Sequence, residues 1–189
     1  PKKYFMISNQ FWAHKSHITA FKALEEIKKR GYDDIHIVCT GEIKRDNRDK
    51  GYYDNIVRYI DQSGLKRKIH ILGYIPKREQ IKIMKQAMAL VQPSLFEGNP
   101  GGLSVRNANS VLIPVIMSDI TVNQEAKSIP GIRLFEAKNP GSLADEMERI
   151  LLSESSDIRE ADIIEHNKIN EKKIADFYLQ MIEEVIGNY

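Results

Sequence analysis

The sequence predicts an α/β protein: a doubly wound, Rossmann-like parallel sheet of about six strands with helices on both faces. Short apolar, β-branched runs alternate with stretches of helical periodicity along almost the whole chain. Glycine-containing loops follow several of these runs directly, as they do where parallel strands meet their ligands. The 189 residues are enough for one domain with a substantial core.

Three strand–helix units are predicted in the first half of the chain. Apolar runs predict strands at 4–7, 35–40 and 69–72, and helical spacing predicts helices over 16–30, 52–62 and 78–88. Ser16 is suited to capping the first helix and Gly31 to ending it. The apolar stripe of this helix consists of Ile18, Phe21, Leu24 and Ile27.

The second half continues the same alternation. Strands are predicted at 90–91, 113–117 and 132–135, and helices over 103–111, 142–152 and 169–186. Ser142 followed by Asp145 resembles a capping box at the start of the fifth helix. The last helix has an apolar face formed by Ile174, Phe177, Met181, Ile182 and Val185. The charged stretch 44–50 predicts a solvated loop, and the polar stretch 153–157 a connector.

Composition excludes several classes of protein. A net charge of +2 gives no support for a nucleic-acid partner. The one cysteine, Cys39, lies in an apolar run, which excludes a disulfide framework and favours a reducing compartment, hence a cytoplasmic location. No apolar run approaches a membrane span, although mild basicity permits peripheral contact with the inner face of a membrane. The chain begins at Pro1 without an initiator methionine, so we expect a piece of a longer polypeptide.

The segment 93–103 is the most informative one. It places Glu97 and three glycines, Gly98, Gly101 and Gly102, between a strand and a helix that begins near Leu103. Glycines let backbone N–H groups approach an anion, and the helix start adds the positive end of its dipole. Glu97 supplies a fixed acceptor that suits a polyol such as a sugar. An ordinary surface turn is the alternative interpretation.

Two further loops follow predicted strands. Lys15 comes just before a helix start, where a cation is placed to hold a diphosphate; an exposed lysine is the alternative. Gly73 and Tyr74 begin the loop after the third strand, where free backbone groups suit the edge of a base, and a simple turn is an equal alternative. His14 and His17 have metal-like spacing but no further ligand nearby, so no metal is predicted.

Four segments occur in the order of motifs found in one known family: SNQFW with Lys15 (8–15), CTG (39–41), ILGYI (71–75) and VQPSLFEG (91–98). In these the chain resembles the C-terminal half of the GT-B-fold retaining glycosyltransferases of family 4, from about residue 4 to 152. The resemblance implies that 1–152 binds a nucleotide-sugar donor of the UDP or GDP type. It also implies that 153–189 is a connector and a helix that docks on an N-terminal domain absent here.

The resemblance assigns roles residue by residue. Lys15 matches a lysine that contacts the donor diphosphate, and Gln10 replaces its usual arginine partner. Glu97 matches the first glutamate of a paired motif, which contacts the donor sugar. The backbone at Gly73 and Tyr74 falls at the base, and the other expected contacts to sugar and phosphate are Ser94, Gly98, Gly101, Gly102 and Leu103. No metal or other cofactor is implied.

The second glutamate of the family motif, which accepts hydrogen bonds from the ribose diol, is missing. The alignment puts Arg106 in its place, and an arginine only donates. Either Arg106 pairs with phosphate or an acidic sugar, or Asn107 supplies a neutral acceptor after a register shift, or the chain is a degenerate member.

The leading hypothesis is therefore the donor-binding domain of a glycosyltransferase, hexosyltransferase-like, acting on a glycan or a lipid-linked acceptor in polysaccharide biosynthesis. The chain alone is expected to be inactive because acceptors bind mainly to the other domain. The runner-up is a non-catalytic nucleotide- or sugar-binding domain of the same fold. A dinucleotide-dependent dehydrogenase is disfavoured because no Gly-x-Gly-x-x-Gly turn follows the first strand. A phospho-receiver is disfavoured because that strand lacks carboxylates.

Overall fold

The computed structural model describes residues 1–43, 51–153 and 158–186. The predicted solvated loop at 44–50 lies outside the described residues, as does most of the predicted connector, at 154–157. Within the described residues, one parallel sheet of six strands carries the fold, in the order β3-β2-β1-β4-β5-β6. The strands are β1 (Tyr4–Ser8), β2 (His36–Thr40), β3 (Ile69–Ile71), β4 (Ala89–Gln92), β5 (Val115–Ser118) and β6 (Ile132–Phe135). The predicted fold class is confirmed.

Six helices accompany these strands in the described chain. They are α1 (His17–Lys29), α2 (Tyr52–Gln62), α3 (Lys77–Met84), α4 (Gly102–Ser110), α5 (Pro140–Leu152) and α6 (Glu160–Ile186). Two 3₁₀ segments, Ala13–Lys15 and Thr121–Ser128, follow β1 and β5.

The sheet is buried on both faces, which explains why its strands are almost continuously apolar. Side chains of β1 alternate between the two faces: Phe5 and Ile7 pack with α1, α2 and α5. Tyr4 and Met6 pack with α3, α4 and the second 3₁₀ segment. The two apolar layers hold the carboxyl ends of all six strands at one edge, as a doubly wound sheet requires.

The start of α5 differs from the prediction. The helix begins at Pro140, and Asn139 is its N-cap, because the Asn139 side chain accepts a hydrogen bond from the Ser142 N–H at 3.1 Å. Proline at the first helical position is favoured because its missing N–H would have had no partner there. The predicted capping box of Ser142 and Asp145 is therefore wrong. Asp145 instead forms an ion pair with Arg30, the C-cap residue of α1.

Two other helix ends also differ. Ser16 stands at the N-cap of α1 as predicted, but its hydroxyl bonds to the Thr19 hydroxyl and not to a backbone N–H. Helix α3 ends at Met84 and not at 88, because the Met88 N–H already bonds to the Tyr4 carbonyl at the entry to the sheet.

Helix α6 begins earlier than predicted, and none of its 27 residues is buried. Its large apolar side chains are exposed: Ile164, Ile169, Ile174, Phe177, Tyr178, Leu179, Met181, Ile182, Val185 and Ile186. Charged residues interrupt these side chains, and no helix in the described chain has the length and hydropathy needed to cross a bilayer.

Candidate functional site

The strand order reverses direction between β1 and β4, and this is where an open α/β sheet forms its ligand crevice. Successive strands run outward from β1 through β2 to β3, and from β4 through β5 to β6. The loops that leave β1 and β4 therefore diverge above the sheet edge. Both loops carry residues predicted from the sequence to bind the donor.

A cavity of about 430 Å³ lies over the carboxyl ends of β1 and β2, a volume typical of small-molecule sites. Residues from three loops and two helices line it, among them Gln10, Tyr74, Lys77, Leu103, Ser104 and Asn107.

Two side chains, Gln80 and Ser104, hold the walls of this cavity in place. Gln80 on α3 donates to the hydroxyls of Ser8 and Thr40, at 2.8 and 3.2 Å, and so closes the floor over β1 and β2. Ser104 donates its hydroxyl to the Ser8 carbonyl at 2.7 Å, which fixes the start of α4 above the end of β1.

Lys15 and Glu97 meet beside this cavity, although 82 positions separate them in the chain. The Lys15 ammonium lies 2.7 Å from Glu97 Oε1, and the two side chains are only 11% and 9% exposed. Such a buried pair is stable only while both charges and their hydrogen bonds are satisfied, so neither residue is an ordinary surface charge.

Glu97 Oε1 accepts a second hydrogen bond, from Gln92 Nε2 at 2.7 Å. Gln92 ends β4, is 1% exposed, and accepts in turn from Asn9 Nδ2 at 2.9 Å. Asn9 directly follows β1, so hydrogen bonds cross from one side of the crevice to the other.

The glycine turn after Glu97 is held from below by Asn123. Gly101, at φ 59°, donates its N–H to Asn123 Oδ1 at 3.0 Å, and Asn123 Nδ2 donates to the Ser118 carbonyl at 2.8 Å. A Cβ at Gly101 would stand 2.0 Å from Val105 Cγ2, so the turn requires glycine there. The Gly101 N–H is thus engaged within the protein. The Gly102 N–H bonds to the Asn99 carbonyl at 3.3 Å. The N–H groups of Leu103 and Ser104 have no acceptor within α4 because they belong to its first turn.

The predicted site residues fall into three groups. Lys15, Glu97 and Gly102 come together, and Gly98 is exposed beside them. Gln10, Tyr74 and Leu103 line the cavity. Three other predicted residues have constraints that the sequence did not reveal, and these are Gly73, Ser94 and Arg106.

The Gly73 carbonyl accepts from the Gly41 N–H at 2.9 Å, so it is not wholly free to face a ligand. Ser94 is fully buried, and its carbonyl accepts from the Ser118 hydroxyl, so it supports the loop from within. Arg106 is exposed and is not one of the cavity-lining residues, whereas Asn107 is one of them.

His17 lies beneath Lys15 in the core, stacked on the Phe11 ring at 4.1 Å between centroids. Burial, against an opposing hydrogen bond with the Asn9 backbone and with a smaller contribution from the Lys15 charge, lowers the pKa of His17 to about 3. The His14 ring instead contacts the rings of Trp12 and Phe96. Across the described residues, no group of three or more His, Cys, Asp or Glu side chains could hold a metal ion.

Sequence reasoning missed Asn9, Gln92, Asn123 and Gln80 as parts of the site. One signal for Gln92 was present: it is an amide at the end of an apolar run, where a buried polar side chain must find partners. Asn9 lies within the SNQFW segment, but nothing in that segment indicates which residue its side chain bonds to.

Comparison with known proteins agrees with this geometry. The family model for glycosyl transferases group 1 matches residues 1–170. The chain belongs to that family. No curated protein sequence matches it significantly.

Three solved structures illustrate the similarity of this chain in fold to known glycosyltransferases. A glycosyltransferase from Rickettsia africae has 19% identity and a TM-score of 0.71 over 99% of this chain and 48% of its own. HepE of Anabaena, in complex with UDP and glucose, has 13% identity and a TM-score of 0.73 over 94% and 48%. The C-terminal domain of a group 1 glycosyl transferase from Francisella tularensis has 21% identity and a TM-score of 0.68 over 80% and 76%. The chain thus spans about half the length of the first two.

Proposed function

We propose that this chain is the donor-binding domain of a retaining glycosyltransferase of the family 4 type. Its donor is a nucleotide-diphosphate sugar with UDP or GDP. The observation that carries the proposal is the buried Lys15–Glu97 pair beside the start of α4. It combines a cation, a fixed carboxylate and the first-turn N–H groups of Leu103 and Ser104 within one crevice.

Each part of this site has a chemical task in the proposal. Lys15 and the first turn of α4 bind the diphosphate and stabilise the negative charge that grows on it as the sugar departs. Glu97 accepts hydrogen bonds from hydroxyls of the transferred sugar and so orients it. The cavity lined by Tyr74 and Asn107 receives the nucleoside. Charge stabilisation by the chain's own groups is sufficient for this chemistry, so no metal is included.

We also propose the partners of the domain. A second domain of the same polypeptide supplies the acceptor site for a glycan or a lipid-linked acceptor, and α6 docks on that domain through its exposed apolar side chains. A cytoplasmic location, with peripheral contact at the inner face of a membrane, suits the single buried Cys39 and the sequence pI of about 8.6.

Calorimetric titration of the chain with UDP, GDP and their sugars tests the proposal. We expect one nucleotide series to bind, and the Lys15→Ala variant to lose at least tenfold in affinity, because a charge-assisted bond to phosphate contributes about 1.5–3 kcal/mol. Lys22→Ala is the matched control, since Lys22 is an exposed lysine on α1. Equal binding by all three proteins would contradict the diphosphate role.

A non-catalytic nucleotide-binding domain is the second candidate. It is favoured by the absence of a second carboxylate at the start of α4, where Arg106 is exposed and Asn107 lines the cavity. If the longer polypeptide binds the donor yet transfers no sugar to any acceptor, this second function is the correct one.

A further inference from the structure

Three buried polar side chains, Asn9, Gln92 and Glu97, form a directed chain of hydrogen bonds across the crevice. Asn9 Nδ2 donates to Gln92 Oε1 at 2.9 Å, and Gln92 Nε2 donates to Glu97 Oε1 at 2.7 Å. Asn9 is 8% exposed and Gln92 1%, so water competes little for these bonds. Lys15 donates to the same oxygen, Glu97 Oε1.

The direction of this chain starts from Glu97, because a carboxylate only accepts and Gln92 must therefore turn its NH₂ group toward it. The Gln92 oxygen then faces Asn9, and the Asn9 NH₂ group keeps it there by donating to it. A glutamine in the opposite orientation would place an oxygen against the Glu97 carboxylate. The orientation of one buried amide thus decides whether Glu97 meets a donor or an acceptor.

The second carboxylate oxygen faces the glycine turn. A Cβ at Gly102 would stand 3.7 Å from Glu97 Oε2, so this oxygen lies over the start of α4. Both donors named above bond to Oε1. Oε2 is therefore the oxygen that a ligand hydroxyl would reach above the turn.

We propose that Asn9 and Gln92 are positioning residues that hold Glu97 in this orientation, with Oε1 against Lys15 and Oε2 directed to the hydroxyls of a bound sugar. This inference rests on the proposed function for the identity of the ligand. It adds that discrimination between a nucleotide sugar and the bare nucleotide depends on two amides that act through Glu97.

The isosteric variant Asn9→Asp tests the chain of hydrogen bonds without a ligand. The variant removes the donor to the Gln92 oxygen, so Gln92 lies between two carboxylates that only accept. Either its NH₂ group turns away from Glu97 or its oxygen faces the new carboxylate, and both changes alter the surroundings of the Gln92 amide. In ¹⁵N–¹H NMR spectra, the Gln92 side-chain amide, assigned by its loss in Gln92→Glu, should shift in Asn9→Asp. It should stay in place in Asn55→Asp, which makes the same exchange on the exposed face of α2. An unmoved Gln92 amide in Asn9→Asp would overturn the inference.

Titration with UDP, UDP-glucose, UDP-N-acetylglucosamine, GDP and GDP-mannose tests the functional part. In Asn9→Asp and in Gln92→Met, the preference for the best-bound sugar over its bare nucleotide should fall about tenfold, because a bond to a charged group is disrupted. In Gln92→Met the affinity for the bare nucleotide should change less than about threefold, because Gln92 is not one of the cavity-lining residues. Asn55→Asp should match the unmodified chain.

An unchanged sugar preference in both variants would overturn the positioning role while the proposed function stands. A chain that binds none of the five ligands would overturn the proposed function and with it the sugar-binding role. The NMR result would then still decide whether Asn9 orients Gln92.

Discussion

The buried imidazole of His17 makes a quantitative prediction about acid stability. With a folded pKa of about 3 against an ordinary 6.5, the unfolded chain binds one more proton than the folded one between these pH values. The contribution of the neutral imidazole to the free energy of unfolding is therefore fully present above pH 6.5 and is lost as the pH falls toward 3. At pH 4.5, about two units below the pKa of the unfolded state, protonation of His17 stabilises the unfolded chain by about 3 kcal/mol, at roughly 1.36 kcal/mol per unit.

Urea unfolding monitored by Trp12 fluorescence measures this loss, since Trp12 is the single tryptophan and lies five positions from His17. The His17→Gln variant removes the titrating ring at similar size, so it should start less stable at about pH 7.5 but lose about 3 kcal/mol less than the unmodified chain by about pH 4.5. His166→Gln, on α6, should follow the unmodified chain because it removes a histidine outside the core. Parallel pH curves for His17→Gln and the unmodified chain would refute the argument.

Two further predictions concern the glycine turn. Gly101→Ala should destabilise the fold by about 2 kcal/mol or more in thermal unfolding, because its Cβ would stand 2.0 Å from Val105 Cγ2 at a positive φ. The control Gly98→Ala should be nearly neutral, because a Cβ at Gly98 meets nothing within 4 Å. Asn123→Ala should cost about 2–3 kcal/mol by leaving the Gly101 N–H and the Ser118 carbonyl unpaired, and it should weaken nucleotide binding; a cost below about 0.5 kcal/mol would contradict this.

The fold could be predicted from the sequence because the patterns that indicate its strands and helices are local and repeated. Strands buried on both faces give apolar runs, and helices with one buried face give periodic stripes, so most elements were located within a few residues. The exception is α6, which has no buried face and begins nine residues before its predicted start, at 160 instead of 169. The helix caps were harder to predict. Asn139 and Ser142 are both good cap residues, and only the backbone geometry decides which of them precedes the first turn.

The candidate site could be predicted from the sequence only in part. Lys15 and the loop of Glu97 were located because each follows a strand whose carboxyl end must face the crevice. Their direct contact, and the amides of Asn9 and Gln92 beside it, arise between residues more than 80 positions apart, which no local pattern encodes. Arg106 and Asn107 illustrate a second limit: one position along a helix is a rotation of about 100°, so a small alignment error changes which side chain lines the cavity.

A crystal structure of the chain soaked with UDP and with the best-bound nucleotide sugar tests the central claim most directly. We expect the diphosphate between the Lys15 ammonium and the first turn of α4, with a sugar hydroxyl on Glu97 Oε2. A nucleotide bound in the cavity beyond β5 and β6, lined by Asp119, Lys127 and Glu136, would contradict the account.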